Sequence, residues 1–158
     1  MKVSIICVGK IKEKFYTDAI AEYAKRMKRF ADYEIIEIPD ERIPDNASDK
    51  EKELIKLREG EKILAKLKPE AYAITLCIEG KTLSSTELAD TVKSAYQTTN
   101  HITFIIGGSL GLSDKVKSRS SLRLSFGRMT LPHQLMRVVL SEQIYRAFMI
   151  NSGSAYHK

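Results

Sequence analysis

Five short apolar runs, each parted from the next by a stretch of helical periodicity, constrain this chain more than any other feature. The runs are Val3–Gly9 ("VSIICVG"), Tyr33–Ile38 ("YEIIEI"), Ala71–Gly80 ("AYAITLCIEG"), Ile102–Gly108 ("ITFIIGG") and Leu122–Phe126 ("LRLSF"). Runs of this length, bounded by turn and polar residues, read as strands. Between them, Glu13 to Phe30 sets Phe15, Ala19, Ile20, Tyr23 and Met27 on one helical stripe. Ser48 with Glu51 is a capping box that opens a charged helix to about Leu67, and Ser84 with Glu87 opens another to about Gln97. Ser113 caps a short helix, and Pro132 suits the first position of a long one ending near Asn151. Strands joined through helices must pair in parallel, because a parallel pair needs a crossover. The expected class is α/β, a mostly parallel sheet with helices on both faces. The loop Pro39–Ser48 holds two of the four prolines, yet composition does not change across it, so residues 1–158 read as a single domain.

Several functions are excluded at this stage. No apolar run approaches the roughly 18 residues of a membrane span. The opening "MKVSIICVGK" meets charge at once and has no small-residue cleavage site, so it reads as a strand and not a leader, and the expected location is cytoplasmic. Cys7 and Cys77 lie in separate strand runs without CxxC spacing, as reduced core thiols do. His101, His133 and His157 are scattered, so no metal centre is expected. Net charge is +6, and it is uneven: residues 1–70 carry +1 and residues 71–158 carry +5. A polyanionic partner for the second half fits that excess, and so does a merely soluble basic surface.

The stretch "FIIGGSLGLSD" (Phe104–Asp114) follows a strand and opens towards a helix. Its glycines, Gly107, Gly108 and Gly111, lack the G-x-G-x-x-G order of a dinucleotide site and the lysine of a phosphate-gripping loop. Two readings stand for these residues alone. They are a plain turn, or a wall where backbone approaches a ligand at the carboxyl end of a parallel strand. A second segment favours the wall. The loop Phe126–Leu131 carries Phe126, Met129 and Leu131. So apolar a loop must be buried or must cover a partly apolar ligand, and an adenine ring between backbone segments suits it. The helix after it is apolar around most of its girth, as a central or interface helix is, and keeps Arg137, Ser141, Glu142, Gln143 and Arg146 as polar positions. Glu142 and Arg146 have i, i+4 spacing and can pair.

Three segments, "IIGGSLGLSD", "LSFGRMTLPHQLMRVVLSEQIYRAF" and the terminal "AYHK", closely resemble the RlmH family, the ribosomal RNA large-subunit methyltransferases H of the SPOUT superfamily. So do "VGKIKEKFYTDAIAEYAKRM", "IPDE", "EGEKILAKL" and "LCIEGKTLSS", and the resemblance spans the whole chain. It implies a SPOUT-type domain with a C-terminal trefoil knot, a topology that periodicity does not reveal and that general chain-connection rules disfavour. It implies a homodimer that moves a methyl group from S-adenosylmethionine to N3 of a pseudouridine. The target lies in the large-subunit (23S) rRNA stem-loop that bridges the ribosomal subunits, within assembled ribosomes, with no metal and no membrane.

Carried over by position, the resemblance puts the cofactor at Leu76, Gly107, Gly108, Phe126, Gly127, Arg128, Met129, Thr130 and Leu131. Leu110 and the Gly127-Arg128 pair depart from relatives, without loss of a backbone contact. The imide N3 holds a proton at neutral pH, so its lone pair must be freed before methyl transfer. His157 is the candidate base or orienting group, and Tyr156 the candidate stacking or hydrogen-bonding partner. Arg137, Glu142 and Arg146 are secondary candidates for holding RNA phosphate or orienting the tail. Three rivals remain: a SPOUT methyltransferase acting on tRNA, a non-catalytic RNA-binding or ribosome-assembly factor, and a phosphate-binding α/β protein using Gly107–Gly111.

Overall fold

The computed structural model describes residues 1–158. Strands and helices alternate along it: β1 Lys2–Val8, α1 Lys14–Met27, β2 Asp32–Ile38, α2 Asp49–Lys66, β3 Tyr72–Thr82, α3 Ser85–Ala95, β4 His101–Ile106, α4 Asp114–Arg119, β5 Leu122–Ser125 and α5 His133–Asn151. The strands form one sheet in the order β2-β1-β4-β3-β5, every pair parallel.

Connection handedness decides which face each helix covers. The steps β1 to β2 and β3 to β4 move towards the β2 edge and carry α1 and α3. The steps β2 to β3 and β4 to β5 move towards the β5 edge and carry α2 and α4. Crossovers of one hand must therefore send α1 and α3 to one face and α2 and α4 to the other. Packing agrees: α5 lies against α1 and α3, and α2 meets α4. The period of two along the central strands splits the core accordingly. Val3, Ile5 and Cys7 of β1, with Ile102, Phe104 and Ile106 of β4, join the larger core beneath α1, α3 and α5. Ile6, Val8 and Ile105 join the smaller core under α2 and α4.

The helix starts follow local chemistry with small departures from expectation. At α3 the box is reciprocal: Glu87 N–H donates to Ser84 Oγ at 3.1 Å, and Ser84 N–H to Glu87 Oε2 at 2.7 Å. At α2 only half forms, because the Glu51 carboxylate accepts from the Ser48 hydroxyl at 3.2 Å instead of from its N–H. Pro132 sits just before α5 rather than inside it, a one-residue shift of the kind common at helix ends.

The largest departure is in β3. Leu76 pairs with Leu124 of β5, and the next paired residue, Lys81, meets the same Leu124. Residues 77–80 are therefore extruded from the ladder as a wide bulge. Gly80 makes this possible: a Cβ there would stand 2.8 Å from the Arg123 carbonyl and the Leu124 carbon of β5, closer than any side chain tolerates.

Candidate functional site

The bulge, the glycine stretch and the apolar loop enclose one cavity of about 780 Å³ over the carboxyl ends of β3, β4 and β5. That is the end at which open α/β sheets bind ligands, and the volume falls in the range of small-molecule sites. Leu76, Cys77, Ile78 and Glu79 form one side, Ile106–Leu112 the floor, and Phe126, Gly127 and Met129–Leu131 the far wall, with His133 and Met136 of α5 at its base. The two segments singled out in the sequence thus line one space. Leu76, Gly107, Gly108, Phe126, Gly127, Met129, Thr130 and Leu131 all line it, while Arg128, exposed on the same loop, does not.

Backbone is brought close to this space by glycine. A Cβ on Gly107 would stand 2.9 Å from the Gly111 carbonyl carbon. Only a residue without a side chain lets the strand end and its return lie so near. The apolar loop is less covered than its composition suggests: Met129 is 88% exposed and Phe126 39%. With Ile78, 65% exposed on the bulge, they form an apolar rim. Charge in the cavity is sparse. Lys117 pairs with Glu79 at 2.5 Å and holds that carboxyl below its usual range, and Lys56 pairs with Glu53 at 2.7 Å. The half-buried His133 is held below the ordinary imidazole value, by burial first and then by the Arg137 guanidinium. No cationic cluster awaits a phosphate chain; apolar faces and bare backbone line the space.

Arg137 belongs elsewhere than expected. It is 2% exposed and stands over the ends of β1 and β2. It donates to Glu37 Oε2 at 2.9 Å, to the Val8 carbonyl at 3.1 Å and to the Gly9 carbonyl at 2.7 Å, and its buried Nε–H has no partner. Glu37 also accepts from the Ile11 N–H at 3.1 Å. This guanidinium ties α5 to the sheet and touches neither solvent nor tail, so the expectation that it holds phosphate or orients the tail is corrected. Ser141, one turn on, is likewise buried, against the Tyr33 hydroxyl at 2.7 Å. Burial pushes that phenol up to about 12.

The other four candidates come together. Arg146 donates to Glu142 through Nη2 at 2.6 Å and Nε at 3.1 Å, Tyr156 OH donates to Glu142 Oε1 at 3.2 Å, and the Arg146 guanidinium lies 4.8 Å from the Tyr156 ring centroid. The Tyr156 ring meets Tyr145 edge-on at 5.1 Å. Burial and Glu142 raise the Tyr156 phenol, keeping it a donor. Arg146 Nη1 lies 3.2 Å from His157 Nδ1. A guanidinium only donates, so Nδ1 is the acceptor in this contact. None of these four residues lines the cavity. Sequence reasoning missed Cys77, Ile78, Glu79 and His133. Cys77 is half-buried, packed against the smaller core and also lining the cavity, while Cys7 is fully buried, its thiol pushed up to about 11 by burial. Only the extruded residues after Leu76 account for the first three, and no local pattern announces them. No three His, Cys, Asp or Glu side chains gather as a metal would need, and no helix is long and apolar enough to cross a membrane.

The family described as "Predicted SPOUT methyltransferase" matches residues 1–157. A protein of Lactococcus lactis subsp. cremoris named ribosomal RNA large subunit methyltransferase H is 60% identical over the full length of both chains. Proteins of the same name from Lactobacillus delbrueckii subsp. bulgaricus and Pediococcus pentosaceus are 55% identical, again over both full lengths. Among solved structures, a probable methylase family protein from Haemophilus influenzae Rd KW20 shares the fold at a TM-score of 0.53 and 12% identity, covering 99% of this chain and 70% of that one. By the match along 157 of its residues and these full-length relatives, the chain belongs to the SPOUT methyltransferase family.

Proposed function

We propose that this protein transfers a methyl group from S-adenosylmethionine to N3 of a pseudouridine in large-subunit ribosomal RNA, in the stem-loop that bridges the subunits. The carrying observation is the cavity, whose walls are apolar side chains and bare glycine backbone with no phosphate grip. The relatives named ribosomal RNA large subunit methyltransferase H support the RNA target. Bound there, S-adenosylmethionine supplies a methyl already activated by a sulfonium. Leu76, Gly107, Gly108 and, from the segment Phe126–Leu131, the five residues other than Arg128 would hold it. Backbone groups there would read the adenine edge and apolar side chains would enclose its faces.

The rest of the chemistry is alignment and removal of one proton. Tyr156, a donor held by Glu142, can orient the base edge or stack on it. His157 can take the N3 proton on Nδ1 once Arg146 releases that nitrogen. Arg146, then free of His157, is positioned for a phosphate. In one chain this cluster lies apart from the cavity. The reading therefore includes a homodimer in which a partner's tail completes the site, supported by the partly exposed apolar side chains Val138 and Val139 on α5. It includes the C-terminal trefoil knot, supported by membership of the SPOUT methyltransferase family. It also includes a cytoplasmic setting, with assembled ribosomes as substrate. The modest positive excess supports that last point, since a stronger independent RNA binder would carry more basic charge.

The test is methyl transfer from labelled S-adenosylmethionine to intact ribosomes, free rRNA and tRNA in parallel. Label in ribosomes alone is expected. Equal labelling of free rRNA overturns the ribosome requirement, labelling of tRNA alone overturns the substrate, and no labelling by a folded sample favours a non-catalytic factor.

A further inference from the structure

Among the ionisable groups on the cavity that the reading above leaves without a task, one is an imidazole. His133 is the first residue of α5, half-buried on the cavity wall beside Met136. Three features bear on its charge, and all act in one direction. It is partly withdrawn from water, which disfavours imidazolium. It stands at the amino end of a 19-residue helix, where the unpaired N–H groups present partial positive charge. Arg137 lies one turn along the same face, its guanidinium fixed by Glu37, Val8 and Gly9, so that cation does not swing away. The result is an imidazole held below its ordinary value, by burial and then by Arg137. The other charged groups on this space are Lys56 of α2, paired with Glu53, and Glu79 of β3, paired with Lys117 of α4.

We propose that His133 is a further donor-contact and specificity residue, an imidazole on the cavity wall that admits a sulfonium ligand while neutral and repels it when protonated. This rests on the reading of the cavity as the S-adenosylmethionine site. The methylated donor and its demethylated product share adenosine, carboxylate and amino groups and differ by one positive charge at sulfur. A neutral imidazole lets the donor bind on equal terms with its product. An imidazolium in the same enclosed space penalises the donor alone, so the protonation state of His133 sets the balance between them.

The experiment is calorimetric titration of the full-length chain with S-adenosylmethionine and with S-adenosylhomocysteine, in parallel, from about pH 7.5 to about pH 5. Glu79 stays ionised across that range because Lys117 holds it below its usual value, and the ligands' shared groups cancel in the ratio. The Kd of the donor should rise relative to that of the product by roughly threefold to fivefold at the acid end. In His133→Gln and His133→Asn the ratio should stay flat. A ratio flat with pH in the wild-type protein overturns the inference and leaves the cavity assignment standing, as does an equal drift in both variants. Failure of both ligands to bind the wild-type protein at about pH 7.5 overturns the cavity assignment and the inference together.

Discussion

Arg137→Met removes a charge that holds three elements together, and its cost follows from the geometry. The wild-type guanidinium makes one bond to the Glu37 carboxylate and two to the carbonyls of Val8 and Gly9. A bond to a charged partner contributes about 1.5–3 kcal/mol net and each neutral one about 1 kcal/mol. Two terms reduce the loss. Methionine keeps most of the apolar stem, and the arginine's own desolvation cost disappears with its unpaired Nε–H. Glu37 does not become a stranded buried charge, because its side chain is 41% exposed and water can replace the arginine. The net loss should be about 2–4 kcal/mol, or a fall in Tm of roughly 5–15 °C for a domain this size. Urea unfolding followed by circular dichroism, at one fixed protein concentration, reads it directly. A loss under about 1 kcal/mol would refute the assignment of Arg137 as the tie between α5 and the ends of β1 and β2.

Gly80→Ala should lower stability by about 2 kcal/mol or more, since the new Cβ meets β5 backbone at 2.8 Å and neither strand can move without opening the ladder; an unchanged urea midpoint contradicts this. Tyr156→Phe keeps the edge contact with Tyr145 and loses only the bond to Glu142, so it should cost about 1 kcal/mol of stability or less. On the proposed function, methyl transfer by that variant should nevertheless fall about tenfold or more, and activity tracking stability alone would count against a role for the tail. His101, bonded to Ser4 through Nε2 at 2.8 Å, is held below the ordinary imidazole value by burial and then by Lys2. The unfolded chain then binds its proton at higher pH than the native one, so this contribution is present above about pH 6.5 and is lost as pH falls towards the native value. The wild-type protein should lose more stability than His101→Gln between about pH 7.5 and pH 5.5, and equal losses would remove the argument.

The sequence carried the fold at the level of elements because each local signal agreed with the global one. The strand runs, the box at Ser84 and the start near Pro132 all stand within a residue or two of expectation. The strand order and the faces covered by the helices came from tertiary pairing, which periodicity does not encode. The cavity walls were legible for a chemical reason: glycines after a strand and an apolar loop are each unusual, and a bound ligand would explain both. The bulge after Leu76 was not legible, because "CIEG" reads as uninterrupted strand until β5 lies beside it. Arg137 misled for a related reason. A lone arginine on an apolar helix reads as a surface charge, and only the carbonyl ends of β1, together with Glu37 of β2, show why it is inside.

Mass mapping of large-subunit rRNA gives the most direct test of the central claim. Ribosomes that lack the modification would be incubated with this protein and isotopically labelled S-adenosylmethionine, then digested and sequenced by mass. The account predicts one labelled methyl on N3 of a single pseudouridine in the intersubunit stem-loop, lost with His157→Ala. No label, or label at another base, would contradict it.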